Sequence, residues 1–210
     1  MPTGPHGSHL LPLLDAPAPE RRDAARNRMA LLEAAERLID TCGIDAVTMD
    51  AVAEAAGVGK GTVFRRFESR EGLMAALLNH SETEWQAAVL SGPAPLGPGA
   101  APWDRLLAFG RSRLEVTLGH ADLIRHAGRA GSRSFAAYSF AAMHVRYLLT
   151  ELHVTGDLPL LATALMAPLE APILEQQVRV EGLDVDRVLH GWADLARRVV
   201  SPSGGDAART

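Results

Sequence analysis

The amino-acid sequence predicts an all-α protein, on three observations. Apolar residues recur at three- and four-residue spacing along most of the chain, no segment alternates convincingly with period two, and glycine or proline sits between the helical stretches. A length of 210 residues, 47% of them hydrophobic, supplies a core for one domain or two small ones and excludes a disordered chain. The single cysteine, Cys42, excludes a disulfide framework and any Cys-rich zinc module, and fits a reducing cytoplasmic setting. No apolar run approaches the ~18 residues of a membrane span, so no membrane partner is expected.

Taken in order, residues 1–20 read as a disordered leader. Five prolines interrupt them, and no Lys or Arg precedes the Leu10–Leu14 cluster as a secretory signal requires. A first helix is expected from about Arg22 to Cys42, with Met29, Leu32, Ala35, Leu38 and Ile39 as its buried stripe and Gly43 as its stop. Thr48 is placed to cap a short helix carrying Met49, Val52 and Ala53 up to Gly57. A second short helix follows from about Lys60 to Arg66. Ser69 then caps a longer one with Leu73, Leu77 and Trp85. Four prolines and three glycines between Ser91 and Pro102 require a loop. Further helices are expected near 103–119, 121–128, 133–153, 158–167, 169–181 and 184–200. Pro159 suits a first turn after Asp157, Pro168 and Pro172 break or kink the apolar run that holds them, and Asp184 caps the last helix. A Gly-rich polar tail over 203–210 completes the chain.

The net charge of -4 conceals an uneven distribution. Residues 21–28 hold four arginines and one acid, and residues 60–70 hold Lys60, Arg65, Arg66 and Arg70 against Glu68. Between these clusters, residues 29–59 carry six acids and one arginine. Two basic clusters around an acidic stretch suit a small anion-binding face on an acidic body, although charge alone equally suits ordinary solvated helix faces.

Residues 48–67, TMDAVAEAAGVGKGTVFRRF, have the form of two short helices joined by a glycine-containing turn. Ala53, Ala56 and Val58 are small enough for close helix approach, with Val52 and Val63 packed beneath. Gly57 supplies a turn conformation that a Cβ disfavours. Gly59, Lys60, Gly61 and Thr62 open the second helix, so a groove can receive its N-terminal end, where backbone N–H groups and the helix dipole favour phosphate. Lys60 and Thr62 are placed to reach base edges or phosphates, and Arg65 and Arg66 extend the cationic surface.

Residues 28–77, RMALLEAAERLIDTCGIDAVTMDAVAEAAGVGKGTVFRRFESREGLMAAL, resemble the TetR family of transcriptional regulators. The specific features are LLEAA in the first helix, the glycine before T-x-x-x-V-A-x-x-A-G-V, the G-T-V-F-x-x-F segment, and F-x-x-R-x-x-L after it. The resemblance implies a three-helix DNA-binding domain over 21–68 and a helical ligand-binding and dimerisation domain over 69–202. By position it assigns DNA contact to Arg28, Thr48, Lys60, Gly61, Thr62, Phe64, Arg65, Arg66 and Arg70. Phe64 stands where tyrosine is usual, so a hydroxyl contact to phosphate is absent while ring packing remains. It further implies a cytoplasmic repressor, bound as a homodimer to a palindromic double-stranded DNA operator and released by a small apolar organic effector.

In the expected helix 133–153, Phe135, Tyr138, Phe140, Met143, His144 and Tyr147 form an aromatic wall with polar tips, and Trp103, Phe109 and Arg113 are placed to close the opposite side. With the resemblance, Trp103, Phe109, Arg113, Phe140, His144 and Tyr147 are the candidate ligand-binding residues. A plain aromatic core remains the alternative for any one of them. Leu160, Leu161, Leu165, Leu169, Ile173, Leu174 and Val178, with Leu189, Trp192, Leu195 and Val199 of the final helix, are expected to form a two-fold dimer interface.

GVGKGT does not make a phosphate loop: Glu54 stands where the motif needs its first glycine, and Gly61 where it needs Ser or Thr after the lysine. No two histidines on a predicted helix lie four apart around a carboxylate, and no nucleophile–base pair is legible. No catalytic residue, metal or cofactor is therefore expected, and the chain is not expected to be an enzyme. A helical enzyme or small-molecule carrier that retains a DNA-binding head is the alternative.

Overall fold

The computed structural model describes residues 19–128 and 135–201. These form helices and turns only, with no strand among them, and the chain divides into two units between Arg66 and Phe67, two residues before the boundary expected from the sequence.

The first unit holds α1 (Pro19–Cys42), a 3-10 turn (Ile44–Ala46), α2 (Met49–Ala55) and α3 (Lys60–Phe67), the last ending one residue past the boundary. Helix α1 starts three residues earlier than expected, so Pro19 and Glu20 of the expected leader are helical, while the rest of the leader and the tail lie outside the described residues. Gly43, at φ 80°, turns the chain out of α1. The buried face of α1 is Leu31, Leu32, Ala34 and Ala35. Met29, expected in that stripe, is exposed, and Leu38 and Ile39 are half-buried. Helix α1 packs against both α2 and the 3-10 turn, and this is the face they cover. Thr48 caps α2 as expected, its hydroxyl accepting the Ala51 N–H at 3.1 Å.

The second unit contains α4 (Arg70–Ser91), α5 (Pro102–Gly119), α6 (Ala121–His126), α7 (Phe135–Glu151), α8 (Leu158–Met166), α9 (Ala171–Leu174) and α10 (Val185–Val200). Ser69 caps α4 through Gly72 N–H, Asp157 caps α8 through Leu160 N–H, and Asp184 caps α10 through two N–H groups. The helix expected over 169–181 is not continuous. A 3-10 turn (Ala167–Leu169) precedes α9, and a π-helical segment (Glu175–Val180) follows it. The two apolar stretches on either side of Glu170 meet at 44°, because Pro168 and Pro172 lack the N–H groups that a single helix needs there. Among the described residues no single helix is long and apolar enough to cross a membrane.

Helix α5 is central to this unit, packing against α6, α7, α9 and α10. Its Gly110 faces the ring of Trp192, whose Nε1 donates to the Leu165 carbonyl at 2.8 Å. Trp192 is thus a core residue, as are Leu165, Leu169, Leu174 and Leu189. All five are expected at a dimer interface, and the fold turns them inward: the run that holds Leu165, Leu169 and Leu174 bends at Glu170, and Leu189 and Trp192 of α10 pack into the same core. Leu160 and Ile173 stay exposed, and Leu161, Val178, Leu195 and Val199 are half-buried.

Candidate nucleic-acid interface and the polar core of the second unit

The α2–α3 connection is built by local bonds. Ala56 N–H donates to the Val52 carbonyl, Gly57 N–H to Glu54 and Val58 N–H to Ala53, and Gly57 sits at φ 67°. Thr62 N–H then donates to the Gly59 carbonyl at 2.8 Å as α3 begins. Val63 is fully buried, with Val52 at the same depth on α2, which fixes the rotation of α3 about its axis. Val58, expected at the close approach, is exposed instead, because it lies past the turn glycine.

That rotation leaves Lys60, Gly61, Phe64, Arg65 and Arg66 exposed and Thr62 half-buried, all on α3. The cations are not bare. Lys60 Nζ lies 2.7 Å from the Asp50 carboxylate and 5.7 Å from the centroid of the Phe64 ring, one turn along. Arg65 donates to the Thr62 hydroxyl at 3.3 Å, and Arg66 to the Ala24 carbonyl of α1 at 3.2 Å. Arg66 therefore ties α3 to α1. Thr48 is exposed with its hydroxyl committed to the cap, and Arg28 is half-buried on α1. Arg70, half-buried, opens α4 in the second unit. A Cβ built on Gly59 or Gly61 meets nothing within 4 Å, and neither residue has positive φ. The fold itself asks for neither glycine.

The family described as bacterial regulatory proteins, tetR family, matches residues 31–77, the span that holds this helix-turn-helix. Over this segment the chain is similar to the tetR family. An HTH-type transcriptional regulator of Staphylococcus aureus (strain USA300) is 36% identical over 53 residues, which is 25% of this chain and 29% of that relative. The likeness to this relative therefore covers under a third of its length. Among solved structures, a Rhodococcus sp. protein assigned to the TetR-family transcriptional regulators has a TM-score of 0.61 at 19% identity, over 84% of this chain and all of that one. Thermus thermophilus FadR, a TetR-family repressor in complex with lauroyl-CoA, has a TM-score of 0.57 at 19% identity, over 87% of this chain. At these identities the structures establish a shared all-α fold alone.

In the second unit, four of the residues expected to line two walls of a cavity pack their rings together. Phe109 stacks on His144 with ring centroids 5.5 Å apart, Phe140 lies 6.2 Å from His144, and Tyr147 lies 6.0 Å from it on the other side. Trp103 is half-buried against the same core. The side chains of Phe135 and Tyr138 lie outside the described residues. Arg113 is buried, ion-paired to Glu82 of α4 at 2.8 Å, and its guanidinium lies 4.8 Å from the centre of the Trp85 ring. Its charge is thus already matched inside the core.

Four further residues belong to this cluster and were not singled out for it from the sequence: Glu82, Trp85, Arg105 and Thr117. Trp85 was legible only as a helix-face residue. Glu82 and Arg113 are 31 residues apart, with no local signal to join them. Arg105, Phe109, Arg113 and Thr117 follow at four-residue steps along α5, a spacing visible in the sequence, and form a seam of three polar side chains and one aromatic. Buried atoms without hydrogen-bond partners gather here: Arg105 Nε, Arg113 Nε, Thr117 Oγ1 and His144 Nε2. Burial, with the nearby charge of Arg105, lowers the pKa of His144 to about 4, so this ring is neutral at physiological pH.

Proposed function

We propose that this chain is a TetR-family repressor that binds a near-palindromic operator as a homodimer and leaves it when a small, largely apolar organic effector enters the second unit. The observation that carries the DNA-binding half is the outward face of α3. Lys60, Gly61, Phe64, Arg65 and Arg66 face solvent together while Val63 anchors the helix from below. Thr62, Arg28, Thr48 and Arg70 complete the proposed DNA-contacting set. A second copy related by a two-fold axis supplies the second recognition helix, and two successive major-groove faces lie about 34 Å apart. Exposed Leu160, Ile173 and Val180, and a groove lined by Leu169, Leu183, Val188 and Leu195, support dimerisation through the C-terminal helices.

The effector half is supported by the partnerless polar atoms around Phe109, Phe140, His144 and Tyr147, with Trp103 and Arg113 at the margins of the same cluster. The FadR neighbour is a repressor whose ligand, lauroyl-CoA, carries a long apolar chain. A coupling of roughly 1–3 kcal/mol between effector and operator changes DNA affinity about 5- to 150-fold. On this reading the protein acts on chromosomal DNA in the cytoplasm and has no catalytic role.

The test is fluorescence anisotropy with duplex DNA taken from the region flanking the gene, combined with gel filtration. Lys60→Ala and Arg65→Ala are expected to weaken binding while the oligomeric state stays unchanged. Unaltered affinity in both variants, or affinity insensitive to salt, contradicts the assignment.

A further inference from the structure

Within the second unit, Arg105 differs from Arg113, its neighbour two turns along α5. Arg113 is paired with Glu82, whereas Arg105 has no carboxylate partner among the described residues. Its Nη2 donates to the Val89 carbonyl at a long 3.5 Å, and its Cζ lies 6.0 Å from the centroid of the Tyr147 ring. The side chain is half-buried, and its Nε is fully covered with nothing to donate to. A guanidinium partly withdrawn from water without a counter-ion is costly, and the fold leaves that cost standing. Beside it, His144 is 7% exposed, with Nε2 also unpartnered. The two orphaned polar groups adjoin ring surface that remains open to a ligand, since Phe140 is half-buried and Tyr147 is 48% exposed.

We propose that Arg105 is the anchor for the carboxylate of an organic acid, with His144 and Tyr147 flanking it and the acid's apolar part lying along Phe140 and Tyr147. The inference rests on the reading of this unit as an effector domain and names the chemical class of its ligand. A carboxylate fits the guanidinium fork and supplies the charge that Arg105 lacks. One cation beside a neutral imidazole balances a monoanion. A phosphomonoester dianion would need a second free cation, and the next arginine on the seam, Arg113, is already occupied by Glu82. The neutrality of His144 follows from the same arrangement, and an anion at Arg105 makes protonation of that ring easier.

The experiment compares acids with their neutral amides on the full chain. Octanoate and octanamide, and 3-phenylpropanoate and 3-phenylpropanamide, are titrated to millimolar concentration by calorimetry and thermal shift. At least one acid is expected to bind with more than about tenfold preference over its amide, a difference of about 1.4 kcal/mol. Arg105→Gln is expected to abolish that preference, and Arg105→Lys, which keeps the charge without the fork, to retain part of it. Equal binding of acid and amide, binding of neither acid, or an unchanged preference in Arg105→Gln overturns the proposal. Should the glutamine variant fail to fold, the acid–amide comparison on the unmodified chain still decides. Operator release is followed separately by anisotropy. An acid that binds through Arg105 without releasing DNA keeps this site and sinks the effector reading. Release by acids and amides with equal potency keeps the effector reading and sinks this site.

Discussion

The carboxylate of Asp50, near the start of α2, lies 2.7 Å from the ammonium of Lys60, the first residue of α3. Both side chains are mostly exposed, so the pair is worth little to stability. Its consequence lies in recognition, because Lys60 is the one lysine in the chain and one of the cations proposed to meet DNA phosphate.

Asp50 therefore competes with phosphate for Lys60. Asp50→Asn is expected to strengthen operator binding roughly two- to fivefold, the range of an exposed ion pair. Lys60→Ala is expected to reduce the slope of log affinity against log salt by about one. Anisotropy titrations across a salt series measure both effects. Weaker binding by Asp50→Asn would show that the carboxylate positions Lys60 rather than holding it back.

Gly61 has a second consequence for the same face. A Cβ there meets open space and the backbone is not in the left-handed region, so Gly61→Ala should favour α3 by up to about 1 kcal/mol. Binding should nevertheless weaken if this end of α3 lies close against DNA. Thermal melts with operator titrations separate the two effects, and a stabler variant with full affinity rejects the close approach.

His144 gives the fold a pH dependence. Its pKa falls from the ordinary 6.5 to about 4, first through burial and then through the charge of Arg105. The unfolded chain then takes up a proton between these values that the folded chain refuses. The contribution is complete above about pH 6.5 and is lost as pH falls towards 4. Allowing for partial solvation, its size is roughly 2 kcal/mol. Urea midpoints at pH 7 and pH 5 should separate in the unmodified chain and draw together in His144→Leu.

Gly110 is required by packing. A Cβ at this position would lie 2.0 Å from the Trp192 ring, which is held in place by its bond to Leu165. Gly110→Ala is expected to cost about 1–3 kcal/mol in urea denaturation. Gly110→Ala combined with Trp192→Leu should recover part of that loss, and failure to recover any would place the strain elsewhere.

The features legible in the sequence are those whose physics is local. Thr48, Ser69, Asp157 and Asp184 cap helices because each needs only an N–H two or three residues ahead. Gly57 makes its turn because positive φ is a property of one residue, and the outward set on α3 follows from helical period once Val63 is taken as the anchor. Periodicity marks an apolar face without naming what covers it. Leu165, Leu169, Leu174, Leu189 and Trp192 fit an interface between chains as well as a core, and the packing of the bent run and α10 into one cluster decided for the core. Charge partnerships lay equally beyond reach. Lys60 meets Asp50 across 10 residues and Arg113 meets Glu82 across 31, while Arg105 is left without a carboxylate among the described residues. A side chain's spacing tells which face it occupies. Only the packing of whole helices tells which opposite charge, ring or empty space lies across from it.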